Sequence, residues 1–415
     1  MTPAPPARSR GPLLSRRTLT SAGLLAPLAL TACGSTGVSS DPDVLRVLDS
    51  YSNDPDNGII GAALEAAAAT VGVTLERVSV SGGSLIQRVL QQGSSGTLPD
   101  LLMLDNPDLQ QIAATTALSP LGPLGVPVDG YAGGVTAAGT YRGEVYGLAP
   151  TVNTIALFYD VPTLEAAGIA PPTTWDELAD AAAALTVGGR YGIAFCANAT
   201  YENTWQFLPF FWTNGGDERD LDTAQAAQAL EFVTDLVQTG SASRSVLNWT
   251  QADVKDQFIS GKAAMMVNGP WQIPEMSTVE GLEYGIVTLP VRDPATQTSV
   301  APLGGEVWTI PDTGNPTKQR RAAALLTEFL SDESQLSMGE QRYTVPGKPA
   351  LAGQYLQRRP EMATFTELIT DARARTAELG PDWPDAAKAI YTAVQLSISG
   401  QAAPREALAE AEDYR

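Results

Sequence analysis

Histidine, the commonest general base, is absent from this 415-residue chain. Its absence removes Ser-His and Cys-His nucleophile pairs and His-ligated zinc. The two cysteines, Cys33 and Cys196, are too few for a Cys-rich metal centre. No G-x-x-x-x-G-K-[ST] phosphate loop or G-x-S-x-G elbow occurs, since Gly261-Lys262 lacks the earlier glycine and the following hydroxyl. No catalytic residue, metal or cofactor is therefore assigned. The 46 acidic residues leave one chemistry open, a two-carboxylate glycosidase, but their number lets no pair stand out.

Cys33 has a chemistry of its own. Ser15-Arg16-Arg17-Thr18-Leu19 leads into an apolar run that stops at Leu30-Thr31-Ala32-Cys33. A basic stretch, a short apolar stretch and then small residues make an export signal, too short for a membrane span. Leu-Thr-Ala-Cys fits the bacterial lipobox, in which the Cys thiol is diacylated and the preceding peptide bond is cut. The mature protein is then expected to begin at Cys33, lipid-anchored on the outer face of the cell membrane, with residues 33–43 as its lipidated start and flexible tether. The Arg16-Arg17 pair fits a twin-arginine signal, although Leu19 replaces the commoner Phe and arginine pairs also occur in ordinary export signals. Both routes stay open.

Removing residues 1–32 leaves 383 residues, enough for two cores. It also removes Arg8, Arg10, Arg16 and Arg17 and no acid, taking the net charge from −20 to −24. Such a body repels nucleic acid and anionic lipid and suits a neutral or cationic ligand. Cys196, ending an apolar strand pattern, reads as a small buried hydrophobe.

Strand and helix patterns alternate along the mature chain. Val44–Leu48, Val73–Val78, Leu101–Leu104, Tyr191–Phe195, Ala263–Val267, Tyr284–Val287 and Val307–Ile310 read as strands, the third buried on both faces of a mainly parallel sheet. The Ala-rich stretch 59–70 reads as a helix. Thr174-Trp175-Asp176-Glu177 is a capping box, Thr250 with Asp253 starts another helix, and Asn315-Pro316 opens a third. The last 45 or so residues read as wholly helical. Two α/β lobes are expected.

Several stretches, in order, resemble the family 1 extracellular solute-binding proteins of ABC importers, the group containing maltose- and trehalose-binding proteins. They are Thr97-Leu98-Pro99-Asp100-Leu101-Leu102-Met103-Leu104-Asp105, Gly143-Glu144-Val145-Tyr146-Gly147-Leu148-Ala149-Pro150, and Pro171-Pro172-Thr173-Thr174-Trp175-Asp176-Glu177-Leu178. Thr213-Asn214-Gly215-Gly216-Asp217, Phe258-Ile259-Ser260-Gly261-Lys262-Ala263-Ala264-Met265, Gly269-Pro270-Trp271 and Leu303-Gly304-Gly305 follow. The resemblance implies a periplasmic-binding-protein fold with a ligand cleft between two lobes and a helical C-terminal tail. It places crossings near Thr151-Val152-Asn153, Ala301-Pro302-Leu303 and Val345-Pro346-Gly347. Lobe 1 would hold 44–150 plus 306–345, and lobe 2 would hold 151–305 plus 346–415. Tyr159-Asp160 departs from the family's Tyr-Asn, a change expected to matter locally.

Ligands of open α/β sheets sit beyond the carboxyl ends of strands. Asn53, after the first strand, and Asp105 and Asn106, after the third, offer oxygens for sugar hydroxyls, with turn and cap roles as alternatives. Ser84, in Ser81-Gly82-Gly83-Ser84, lies where helix-start N–H groups could meet a ligand oxygen, or simply caps the helix. Aromatic faces complement the C–H faces of sugar rings. By resemblance Trp271 stacks on sugar; Trp212 and Trp249 are further candidates, with Asn214 and Asp217 beside Trp212. Trp175 and Trp308 read as structural. Gly304 and Gly305 fit a crossing where backbone approaches ligand, followed by Glu306 as an acceptor. A family-like Arg stretch would send a guanidinium into the cleft; Arg375 is favoured over Arg373, an exposed helical arginine being the alternative.

The reading favoured is a monomeric receptor that captures a mono-, di- or oligosaccharide by lobe closure and delivers it to ABC permease subunits, with no chemistry done on the ligand. Another polyol-like solute, such as a glycerol phosphodiester, is the alternative within the same fold. A secreted glycosidase and a structural lipoprotein are the alternatives outside it.

Overall fold

The computed structural model describes residues 41–115 and 118–413. Cys33 and the expected export signal lie outside them. Fourteen strands occur among the described residues. They are β1 (Val44–Asp49), β2 (Thr74–Ser79), β3 (Leu101–Asp105), β4 (Leu118–Ser119), β5 (Thr140–Tyr141), β6 (Glu144–Val145) and β7 (Gly147–Leu148). Then come β8 (Thr151–Val152), β9 (Ala156–Asp160), β10 (Tyr191–Ala194), β11 (Ala263–Asn268), β12 (Tyr284–Val287), β13 (Glu306–Pro311) and β14 (Val345–Pro346).

The first lobe is built on a six-stranded sheet in the order β2-β1-β3-β13-β4, with β7 also paired to β13. Its β2-β1-β3 part is parallel and β13 runs against its neighbours. Leu101 to Leu104 are all buried, as a strand covered on both faces requires. The second lobe carries the sheet β10-β11-β9-β12, with one parallel pair, β10 and β11. Leu157, Ile193, Met265 and Val267 share a core with the helices Tyr201–Thr213 and Trp383–Ser399. On the other face of the same sheet, Phe158 and Met266 pack with Val254, Phe258 and Phe365 in a cluster that continues to the first sheet, and Phe158 meets Phe365 at 6.0 Å between ring centres.

The helix starts follow their local chemistry. Thr174 Oγ1 accepts from Glu177 N at 3.2 Å while the Glu177 carboxylate takes the N–H groups of Thr173 and Thr174. Trp175 then stacks on Phe232 at 4.6 Å and donates its indole N–H to Pro290 O. Thr250 and Asp253 form the same reciprocal cap, and Asn315 Oδ1 accepts from Thr317 and Lys318 N. Trp308, fully buried, lies edge-on to Phe329. Asp160 caps the helix Val161–Ala167 through Thr163 N at 2.8 Å, so the departure at this position keeps a cap-competent residue.

The tail differs from the sequence reading. The chain is not helical at Arg373 and Arg375; helices cover Trp383–Ser399 and Pro404–Glu412. Arg373 instead pairs its backbone with the stretch before β13, donating to Ala301 O at 2.9 Å and accepting from Leu303 N at 2.8 Å. Once these groups serve a ladder they cannot serve a helix. Nearby, β8 pairs with β14 and Asn153 bridges Gly304, so the stretches that run between the two sheets lie side by side.

Candidate functional site

A cleft of about 700 Å³ opens where strand ends of both sheets meet these stretches. Its first wall grows from the six-stranded sheet. Asp105 ends β3 and Glu306 begins β13, and the two are register partners, so two carboxylates stand side by side. Arg342, closing the helix Asp332–Arg342, grips Asp56 with two bonds of 3.0 and 3.2 Å and comes within 3.9 Å of Glu306. It lies 4.7 Å over the Tyr51 ring, whose hydroxyl donates to Glu306 Oε2 at 2.6 Å. Burial pushes the Glu306 carboxyl above its usual range, opposed by Arg342 and the Tyr51 bond. Burial also raises Tyr51, which stays a neutral donor. It works against the charge on Arg342, but the carboxylates Glu306 and Asp56 outweigh it and hold the guanidinium protonated.

The second wall is aromatic. The loop after β10 leads into the helix Tyr201–Thr213, which brings Tyr201, Glu202 and Trp205 to the cleft. After β11 the chain turns at Pro270–Gln272 and presents Trp271, with Glu275 one turn on, tied to Lys255. The Trp271 ring lies against Gly269 so closely that a Cβ there would fall inside it. Gly304 is similarly constrained, since a Cβ would sit 2.1 Å from Asn153 Oδ1 and 2.5 Å from the Trp205 ring. Gly305, at φ 118°, takes a conformation other residues rarely adopt. Between the walls, Arg375 donates to Asp105 Oδ1 at 3.0 Å and lies 4.6 Å over Trp205. Asp108 is pushed up to about 7 by burial and then by Asp105, with Arg375 opposing, and burial raises Tyr201 to about 12.

Of the candidates read from the sequence, Asp105, Trp271, Gly304, Gly305, Glu306 and Arg375 line this cleft. The structure sets the others apart from its lining. Asn53 is exposed and uses its carbonyl to accept from Asn57 N at the next helix. Ser84 is exposed and its hydroxyl bonds that of Ser81. Asn106 is buried and its amide donates to the carbonyls of Leu303 and Gly305, tying β3 to the stretch before β13. Trp212 is buried, with its indole N–H on Glu218 Oε2 at 2.8 Å and Arg373 over its ring. Asn214 is consumed by Gln225 O and Gln228, and Asp217 by Arg219. Trp249 packs between the two cores, and its carbonyl accepts from Cys196 Sγ at 3.0 Å. In each case a polar group or ring already has partners in the protein.

Tyr201, Trp205, Asp56 and Arg342 line the cleft without having been singled out. Trp205 lies in an unbroken buried run, Asn203 to Thr213, whose lack of periodicity hides its one ligand-facing edge. The signal available was position, because its helix follows a strand end.

A model of the bacterial extracellular solute-binding protein family matches residues 62–364. The chain belongs to that family. This binding protein is similar over 407 residues, at 26% identity, to a Brucella abortus protein named only as a binding protein, with 94% of this chain and 96% of that one covered. It is 23% identical to the galactooligosaccharide-binding protein of Bacillus subtilis over 405 residues, 92% of each. Its fold matches the cyclic alpha-maltosyl-1,6-maltose binding protein of Arthrobacter globiformis with a TM-score of 0.77 at 22% identity, covering 90% of this chain and 98% of that one. The two-lobed periplasmic-binding fold is shared. Among the described residues no helix is long and apolar enough to cross a membrane.

Proposed function

We propose that this solute-binding protein captures a saccharide of one or more units in the cleft and hands it to the permease of an ABC importer. The observation that carries the reading is the pairing of two unlike walls in one cleft: carboxylates at Asp56, Asp105 and Glu306 face the aromatic residues Tyr201, Trp205 and Trp271. Carboxylates accept from sugar hydroxyls and aromatic faces cover sugar C–H faces, which together describe an uncharged polyol ring. The names of its galactooligosaccharide- and cyclic maltosyl-maltose-binding relatives support the same class. Asp105, Glu306 and Trp271 are the proposed ligand contacts, with Gly304 and Gly305 letting backbone approach.

An anionic solute such as a glycerol phosphodiester fits less well, because Arg342 and Arg375 are each about 6% exposed and committed to carboxylates. In this reading lobe 1 is 44–150 with 306–345, lobe 2 is 151–305 with 346–415, and Cys33 carries the lipid that keeps the receptor at the membrane. Native mass spectrometry of protein from its own host, followed by titration calorimetry on a saccharide panel, tests the ligand class. Binding confined to phosphorylated solutes would overturn it. New reducing ends from an oligosaccharide would mark a glycosidase instead.

A further inference from the structure

We propose that Arg375 is a positioning residue that ties the two walls of the cleft together and thereby sets how readily the lobes part. The segment carrying it is fastened to the second lobe by Arg373. That guanidinium donates to Glu218 Oε1 at 2.8 Å and lies 4.5 Å over Trp212, while Trp212 bonds the other oxygen of the same fully buried carboxylate. The backbone of Arg373 is also laddered to Ala301 and Leu303. Two residues on, Arg375 reaches out of this anchored segment to Asp105, at the end of β3 in the first lobe. Its guanidinium carbon meanwhile lies 4.6 Å over the Trp205 ring in the second lobe. A single guanidinium thus holds one lobe by a charge-assisted bond and the other by a cation–π contact.

Rotation of one sheet away from the other separates Asp105 from Trp205, and Arg375 cannot follow both. Asp105 is the end that releases, because its side chain is 46% exposed whereas Arg375 is 6% exposed. The neighbouring bond from Gln110 Nε2 to Thr376 Oγ1, 3.1 Å, ties the same segment to the first lobe without charge. Arg375 thus biases the protein toward the geometry in which both walls face one ligand. Apparent affinity scales with the fraction of molecules in that geometry, so the residue acts on binding through position.

The test rests on the saccharide reading only in its second arm. Spin labels on cysteines introduced at the exposed Glu76 and Glu165 report the distance between lobes without ligand, Cys196 being buried. Arg375→Met is expected to lengthen and broaden that distance, and Asp105→Asn to do the same from the other side. Arg375→Lys, which keeps charge without the planar fork, should restore it in part. Thermal melting checks that each variant is folded, and Asp105→Asn carries the test alone if Arg375→Met is not. Saccharide affinity of Arg375→Met should fall about tenfold. Unchanged distances in the folded variants overturn the proposal, and an affinity loss with unchanged distances makes Arg375 a direct ligand contact instead. If no saccharide binds, the ligand class fails and the distance measurement still decides the role of Arg375.

Discussion

The two walls of the cleft are made rigid by different means. On the first wall Tyr51 bonds Glu306, Arg342 bonds Asp56 and the guanidinium faces Glu306 at 3.9 Å, so the protein's own groups orient the carboxylates. On the second wall Trp271 and Trp205 have rings placed by close backbone approach at Gly269 and Gly304. A polar wall that is already satisfied tolerates little loss without destabilising the protein. A partly exposed ring over glycine can be removed with little effect on the fold. Stability is therefore expected to reside in the first wall and replaceable affinity in the second.

The largest effect expected from that difference is Arg342→Met. It leaves Glu306 beside Asp105 with no counter-charge and strips Asp56 of a two-pronged partner. Removing one member of such a buried network should cost about 3 kcal/mol, less than a fully dry pair because Asp56 is 42% exposed. Thermal and urea unfolding measure it. Glu306→Gln, which keeps the acceptor for Tyr51 and removes the crowded charge, should cost less; an equal loss would mean that shape rather than charge holds this wall.

Trp271→Ala is the matching change on the second wall. Unfolding should stay near wild type while saccharide affinity falls by about 1–3 kcal/mol, as for an aromatic anchor. Asp105, half-exposed and outside the Tyr51–Asp56–Glu306–Arg342 set, is the exception on the first wall, and Asp105→Ala should weaken binding by a similar amount, about 1–3 kcal/mol, by leaving sugar hydroxyls without an acceptor. Titration calorimetry on both variants, beside their melting curves, checks the division. A Trp271→Ala protein that unfolds early and binds normally would reverse it.

The same division shows what could be read from the chain. Seven of the fourteen strands among the described residues, the Thr174 and Thr250 caps and the Asn315-Pro316 start were legible because propensity, capping chemistry and period agree over short windows, whereas β9, between β11 and β12, was not read. Asp105, Trp271 and Gly304-Gly305-Glu306 were reachable because each follows a strand or sits in a short motif. Arg342 was not, since its meaning comes from Asp56 and Tyr51, nearly 300 residues away. Trp212 read as a ligand face because nothing local announces that Glu218 and Arg373 enclose it. The tail misled for the same reason: its composition favours helix, but pairing with Ala301 and Leu303 claims the backbone at Arg373.

Asp108, behind the contact between the walls, should add a pH dependence. Its carboxyl is pushed from 3.8 to about 7, first by burial and then by Asp105. Between those values the folded protein keeps a proton that the unfolded chain has lost, so stability should fall as pH rises from about 4 to about 7. Asp108→Asn removes that slope and should gain on the order of 1–2 kcal/mol at neutral pH. Urea midpoints at pH 4.5 and 7.5 for the two proteins measure it. Parallel profiles would mean that Asp108 is charged throughout.

The smallest change expected lies beneath the second wall. Cys196 is buried two residues past the end of β10, and its thiol, its pKa raised by burial, donates to Trp249 O and approaches Glu202 Oε2 at 3.6 Å. Glu202 lines the cleft, which gives the thiol a route to the ligand if this wall transmits strain. The carboxylate does not depend on it, because the same oxygen also accepts from Asn198 Nδ2 and Gln251 N, both at 3.2 Å. Cys196→Ser keeps a donor in nearly the same place and loses only sulfur volume, at a cost of about 1 kcal/mol. Melting should drop slightly and saccharide affinity should not move. Lost binding at an unchanged melting temperature would make Cys196 part of the recognition wall.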